Sequence, residues 1–176
     1  MNNTTIADKF DTIADLLEFD GANPFRVRAY RNAVRVVSDL GESLESIYRD
    51  EERPLTDIDG IGKDLAEKIG ELIDTGKVSM LDELLERIPE SVLDLMRIPG
   101  VGPKKAAVLH KELGIADLDA LRAACEAGTV RELKGFGAKT EQTILKGLDI
   151  AAAANERRYW AEAEHLVTPL VDDLRK

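Results

Sequence analysis

At 176 residues, with 44% hydrophobic and 33% charged side chains, the chain is long enough to bury a real core in one domain or two small ones. It carries no apolar run of membrane-spanning length and no basic-then-apolar leader, which excludes a membrane-embedded protein and favours the cytoplasm. Its single cysteine, Cys125, excludes an intramolecular disulfide and a cysteine-based metal site, and reads as a small buried hydrophobe.

Ile6, Phe10, Ile13, Leu16 and Leu17 recur at helical spacing, so residues 5–19 form an amphipathic helix that ends at Asp20-Gly21. Asn23-Pro24 starts the next, with Asn as N-cap and Pro in the first position. That helix runs to about Leu40, burying Tyr30, Ala33, Val34 and Val37. Arg28, Arg31 and Arg35 stand at i, i+3 and i+7 and share its other face, with no acid from Gly21 to Val37 to pair with them. A short helix near 43–48 and an acidic loop at 50–53 follow.

The next stretch is Ile58-Asp59-Gly60-Ile61-Gly62-Lys63-Asp64-Leu65-Ala66-Glu67-Lys68-Ile69: a tight turn with two glycines feeding a helix that runs to Thr75. A helix start after such a turn offers free backbone N–H groups, a ready site for a phosphate. Helices are expected over 79–87 and from Pro89. The turn then recurs as Ile98-Pro99-Gly100-Val101-Gly102-Pro103-Lys104-Lys105-Ala106, followed by Leu109. It recurs again as Leu133-Lys134-Gly135-Phe136-Gly137-Ala138-Lys139-Thr140-Glu141, followed by Ile144, with Glu141 in the place of Ala66 and Ala106. The copies start 40 and 35 residues apart, an internal helix–turn–helix repeat. No alternating strand pattern interrupts them, so the fold is all-α, and residues from Thr140 onward read as helical.

The net charge of −10 counts against a nucleic-acid partner, but its distribution does not. Residues 21–37 hold four arginines (Arg26, Arg28, Arg31, Arg35) and no acid; residues 95–111 hold Arg97, Lys104, Lys105 and Lys111 and no acid. Residues 38–59 hold eight acids and two arginines. The basic stretches border the glycine turns.

The repeated pattern apolar-x-Gly-apolar-Gly-x-x-x-Ala-x-x-apolar resembles the helix-hairpin-helix motif of DNA-backbone binders. Three copies behind Asn23-Pro24-Phe25-Arg26-Val27-Arg28-Ala29-Tyr30 resemble the N-terminal part of bacterial and archaeal family X DNA polymerases, DNA polymerase beta-like proteins. The resemblance implies an 8-kDa-like helical domain over 1–80 with the first hairpin, then a fingers- or thumb-like helical domain over 81–150 with the second and third. Residues 151–176 would be a C-terminal helix leading to a palm domain that is absent. It implies sequence-independent DNA binding at gapped, nicked or 5′-phosphate ends in DNA repair, base excision repair included, in the cytoplasm and associated with the nucleoid. Turn N–H groups at Gly60-Ile61-Gly62, Gly100-Val101-Gly102 and Gly135-Phe136-Gly137 would hold phosphate oxygens, and Lys63, Lys104, Lys105 and Lys139 would pair with neighbouring phosphates. A sodium or potassium ion would sit on the backbone carbonyls of Ile58 and Ile61 and of Ile98 and Val101.

The resemblance also places Lys68 where eukaryotic members carry the lysine that forms a Schiff base at an abasic site. Asp64 and Glu71, at i−4 and i+3, oppose the neutral amine that this chemistry needs. Of the family's 5′-phosphate pocket, Arg26 and Tyr30 match, whereas Phe25, Thr56 and Asp64 replace histidine or lysine. No Asp-x-Asp on a strand supplies the polymerase carboxylates, and magnesium belongs only to that absent domain. His110 and His165 are isolated, and Asp172-Asp173 reads as the polar face of the last helix. The expectation is a region that binds DNA without transferring nucleotides. Two further readings stand beside it: an abasic-site lyase acting through Lys68, and a helical protein-interaction domain.

Overall fold

The structure is a computed structural model and describes residues 1–153. The described residues are helical with no strand, so the all-α expectation holds. The expected C-terminal helix lies outside them beyond residue 153, as do His165, Asp172 and Asp173.

Helix α1 (Asn3–Phe19) starts earlier than its apolar spacing suggests, because Asn2 caps it: its side-chain oxygen accepts from the Thr5 N–H at 2.7 Å. Asn23 caps α2 (Pro24–Asp39) as expected, accepting from the Phe25 N–H at 2.9 Å. The two helices form an antiparallel pair. Ile6, Phe10, Ile13 and Leu17 face Val27, Tyr30, Ala33 and Val37, and the Phe10 and Tyr30 rings lie 5.6 Å apart. Each of these large side chains stabilises the pair by about 1.5–3 kcal/mol on burial. At its start, Asn3 donates to the Glu42 carbonyl at 2.8 Å and accepts from the Leu44 N–H at 2.9 Å, tying the loop after α2 to α1.

The chain continues through α3 (Leu44–Tyr48), a 3-10 turn at Leu55–Asp57, α4 (Lys63–Thr75), α5 (Ser79–Arg87) and α6 (Ser91–Met96). Leu65, Ile69 and Leu72 of α4 and Leu81 and Leu84 of α5 join the α1–α2 core, which extends to Val92. A second core begins at Leu95. It gathers Ile98, Val101 and Leu109 around α7 (Pro103–Leu113), Leu121 of α8 (Leu118–Glu126), Val130 of a 3-10 turn at Val130–Glu132, and Ile144 and Leu148 of α9, described over 138–153. The second hairpin therefore joins two α-helices, whereas the first and third enter their turns from a single 3-10 turn.

The C-terminal end of α1 joins the halves. Phe19 packs against both cores and lies edge-on to His110 of α7 at 5.6 Å, while Asp20 pairs with Arg87 of α5 at 3.1 Å within the first half. His110 thus serves packing. Cys125 is buried, and burial pushes its thiol up to about 11, with Glu141 adding to the shift. The thiol should resist Ellman's reagent at pH 8 in the folded protein and react fully once the chain is unfolded in urea.

Candidate functional site

The three glycine turns share one backbone geometry. The first glycine has positive φ each time: 90° at Gly60, 89° at Gly100 and 89° at Gly135. The following residue closes the turn by donating back three residues, Ile61 N–H to the Ile58 carbonyl at 3.0 Å, Val101 to Ile98 at 2.9 Å and Phe136 to Leu133 at 3.0 Å. Its side chain is buried in every copy. The second glycine then begins a helix, its carbonyl accepting from Ala66, Ala106 and Glu141 in turn.

The positive φ accounts for glycine at the first position. At Gly60 a close approach adds to it, because a Cβ would lie 2.5 Å from Asn32 Nδ2 and 3.1 Å from Val36 Cγ2. The second glycine has no such internal reason. Gly62 (φ −80°) and Gly102 (φ −88°) sit in extended backbone that any residue adopts, and a Cβ there would meet nothing within 4 Å; the same open space faces Gly137. As N-caps of α4 and α7 they also forgo the side-chain hydrogen bond that Ser, Thr or Asp would supply, so the N–H groups of the first turn stay uncapped. A bare helix start with clearance in front of it suits an external acceptor that approaches the backbone closely.

Cationic side chains surround the turns. Lys63 and Lys139 are exposed just after the first and third. The second lies in an open groove of about 610 Å³ whose charged lining is Arg97, Lys104, Lys105 and Glu18. Lys105 Nζ sits 5.3 Å from the centroid of the Phe136 ring, linking the second turn to the third. Helix α9 crosses the second turn through Gly147, where a Cβ would lie 2.7 Å from Pro99 Cδ.

On α2 the arginines divide. Arg35 donates to Asn32 Oδ1 at 2.9 Å, and Asn32 rests on Gly60, so Arg35 borders the first turn. Arg28 is exposed and stacks over Phe25, itself 76% exposed, at 5.7 Å. Arg31 stands on the same face, but its guanidinium turns toward α1. The antiparallel α1 brings Asp11 and Asp15 onto its guanidinium, with Glu18 at 3.7 Å, so its acidic partners come from the neighbouring helix rather than its own.

Arg26 and Tyr30 converge on Met80, with donor–sulfur distances of 3.4 and 3.1 Å. Burial and the Asp64 carboxylate hold the Tyr30 hydroxyl up at about 12. Lys68, half-buried, forms an ion pair with Asp64. Glu71 instead turns to α5 and accepts from the Ser79 N–H at 2.8 Å.

The third turn departs from the others at Glu141. Its side chain is 2% exposed, and its carboxylate accepts from the Arg131 N–H and Nε at 2.9 Å each and pairs with the same guanidinium at 2.7 Å. The acid therefore fills the alanine position by carrying its own counter-ion from the 3-10 turn. Asn32, Glu18 and the Arg131–Glu141 pair were not evident from sequence. Only Asn32 left a trace there, lying on α2 between Arg28 and Arg35.

Residues 1–78 match the family described as a helix-hairpin-helix domain, and residues 92–149 match the one described as a SAM-like helix-hairpin-helix tandem. Both halves are helix-hairpin-helix units. The chain is also 40% identical over 157 residues to the DNA polymerase/3′-5′ exonuclease PolX of Bacillus subtilis (strain 168). That alignment covers 89% of the chain, which spans 27% of the relative's length. The two family models and this identity support reading the chain as the helix-hairpin-helix region of a family X DNA polymerase.

Gly60→Ala should destabilise the protein by about 1–3 kcal/mol through backbone strain, whereas Gly62→Ala should stay within about 0.5 kcal/mol of wild type, both read by thermal unfolding. Glu141→Ala restores the residue of the other two turns, yet it should cost about 1–3 kcal/mol in urea unfolding because the Arg131 N–H loses its acceptor.

Proposed function

We propose that the protein binds DNA through the phosphate backbone, without reading base sequence, at gapped, nicked or 5′-phosphate-bearing duplexes in repair. The observation that carries this reading is the second glycine of each turn, which no internal contact requires and which clears space before an uncapped helix start. Its similarity to a named DNA polymerase supports the choice of DNA as the polyanion.

Phosphate oxygens would accept hydrogen bonds from the N–H groups of Gly62, Lys63 and Asp64 at the first turn. At the second turn the donors are Gly102, Lys104 and Lys105, since Pro103 has no N–H. Lys63, Lys104, Lys105 and Lys139 add charge pairing with neighbouring phosphates, and Arg28 and Arg35 extend the basic strip along α2 beside the first turn. Such contacts position the duplex and leave base edges unread.

The carbonyls fit a monovalent cation. Those of Ile61 and Val101 make no hydrogen bond among the described residues, and those of Ile58 and Ile98 accept only the turn-closing bond. A sodium or potassium ion held there would neutralise part of the charge of an adjacent phosphate. Lys68 is read as a structural partner of Asp64 rather than a lyase nucleophile, because an ion pair uses the ammonium form and a Schiff base needs the free amine.

Fluorescence anisotropy with a labelled gapped duplex tests the reading. Affinity should fall steeply with salt, and Lys104→Glu/Lys105→Glu should weaken binding by at least about tenfold for every sequence tried. Salt-independent binding, or none, would favour a protein-interaction domain. Arg35→Glu should weaken binding in the same manner, whereas Arg31→Glu should act mainly on the thermal midpoint. Borohydride treatment with an incised abasic duplex should trap no adduct that depends on Lys68.

A further inference from the structure

The groove at the second turn contains an acid from the other half of the molecule. Glu18, in the last turn of α1, lines it beside Arg97, Lys104 and Lys105. Its carboxylate lies 3.6 Å from Lys104 Nζ through one oxygen and 3.7 Å from Arg31 through the other. Both are ion-pair distances longer than a hydrogen bond. Arg31 is already engaged by Asp11 and Asp15, so the charge of Glu18 is surplus to that cluster and faces the groove. The end of α1 that carries Glu18 is anchored, because the neighbouring Phe19 packs on His110 and Asp20 pairs with Arg87. Lys104 reaches it from α7 with a side chain that is 83% exposed. Among the groove's other cations, Arg97 pairs with Asp94 of its own element at 3.2 Å and Lys105 lies over the Phe136 ring. Lys104 is the cation whose partner comes from across the molecule.

We propose that Glu18 is a positioning residue of opposite charge that holds Lys104 against α1, so that an incoming phosphate must draw the lysine away before the second turn binds at full strength. The inference rests on the reading of that turn as a phosphate-binding surface. A carboxylate beside an exposed ammonium lowers the affinity of the groove for any polyanion and shortens the time a duplex stays bound. It also ties the second turn to the position of α1, and so to the half that carries the first turn. Non-specific duplex is thereby penalised at one turn, while a DNA end that engages both halves is held by the first turn as well.

The test is a double-mutant cycle on the full chain, with anisotropy of a labelled duplex containing a one-nucleotide gap measured over a range of salt. Glu18→Gln should bind about two- to fivefold more tightly than wild type near physiological salt. Its plot of log affinity against log salt should steepen by about one, as one more phosphate becomes paired. In a Lys104→Ala background the same substitution should change neither quantity. A merely structural role for Glu18 would lower the thermal midpoint and leave the salt slope alone. Unchanged or weaker binding by Glu18→Gln, or an equal gain without Lys104, overturns the proposal while leaving phosphate binding by the turns intact. Absence of binding by wild type and Glu18→Gln alike overturns both. If Glu18→Gln does not fold, Glu18→Asp, which withdraws the carboxylate by one methylene, should give the same direction of change.

Discussion

The residue between the two glycines of each turn must be buried, and the rest of the structure depends on that requirement. Ile61, Val101 and Phe136 are apolar side chains in the middle of otherwise exposed turns, and each reaches a core. To drive such a side chain inward within a turn of this length, the preceding residue takes φ near 90°, which only glycine adopts without strain. The turn-closing hydrogen bond follows, and the next glycine starts a helix with nothing on its cap. Packing therefore sets where the helix starts, while the N–H groups stay uncapped because of a glycine that packing does not require. The same anchoring is repeated on two cores, giving the molecule three copies of one backbone geometry.

An acidic chain can still present basic surface if its acids are used internally, and several are. Asp11 and Asp15 are taken up by Arg31, Asp64 by Lys68, Glu141 by Arg131 and Asp20 by Arg87. The exposed lysines that follow the turns have fewer such partners. Lys104 has the weak one described above, and that pair is where the two halves of the molecule meet electrostatically.

Much of this was legible in the sequence for a local reason. The turns, their helices and the Asn23 cap depend on residues within a few positions of one another, so the spacing of Gly60, Ile61 and Gly62 was enough to define the motif. The failures were non-local. Arg31 belonged by periodicity with Arg28 and Arg35, yet the antiparallel pairing of α1 and α2 sets two aspartates against it. Glu141 broke the repeat by sequence, yet Arg131, ten residues earlier, restores it in space. Glu18 lies 86 residues from Lys104, and no pattern along the chain connects them. The second glycine was legible as a motif letter, but only the structure shows that nothing inside the molecule demands it.

The central claim is that backbone N–H groups at the turns receive phosphate. Amide nuclear magnetic resonance of the labelled protein, titrated with a short gapped duplex, tests it most directly. The account predicts the largest shifts at Gly62, Lys63 and Asp64 and at Gly102, Lys104 and Lys105, in the downfield direction expected of new hydrogen bonds, with the core amides unmoved. Shifts confined to other surfaces, with the turn amides unchanged at saturation, would contradict it.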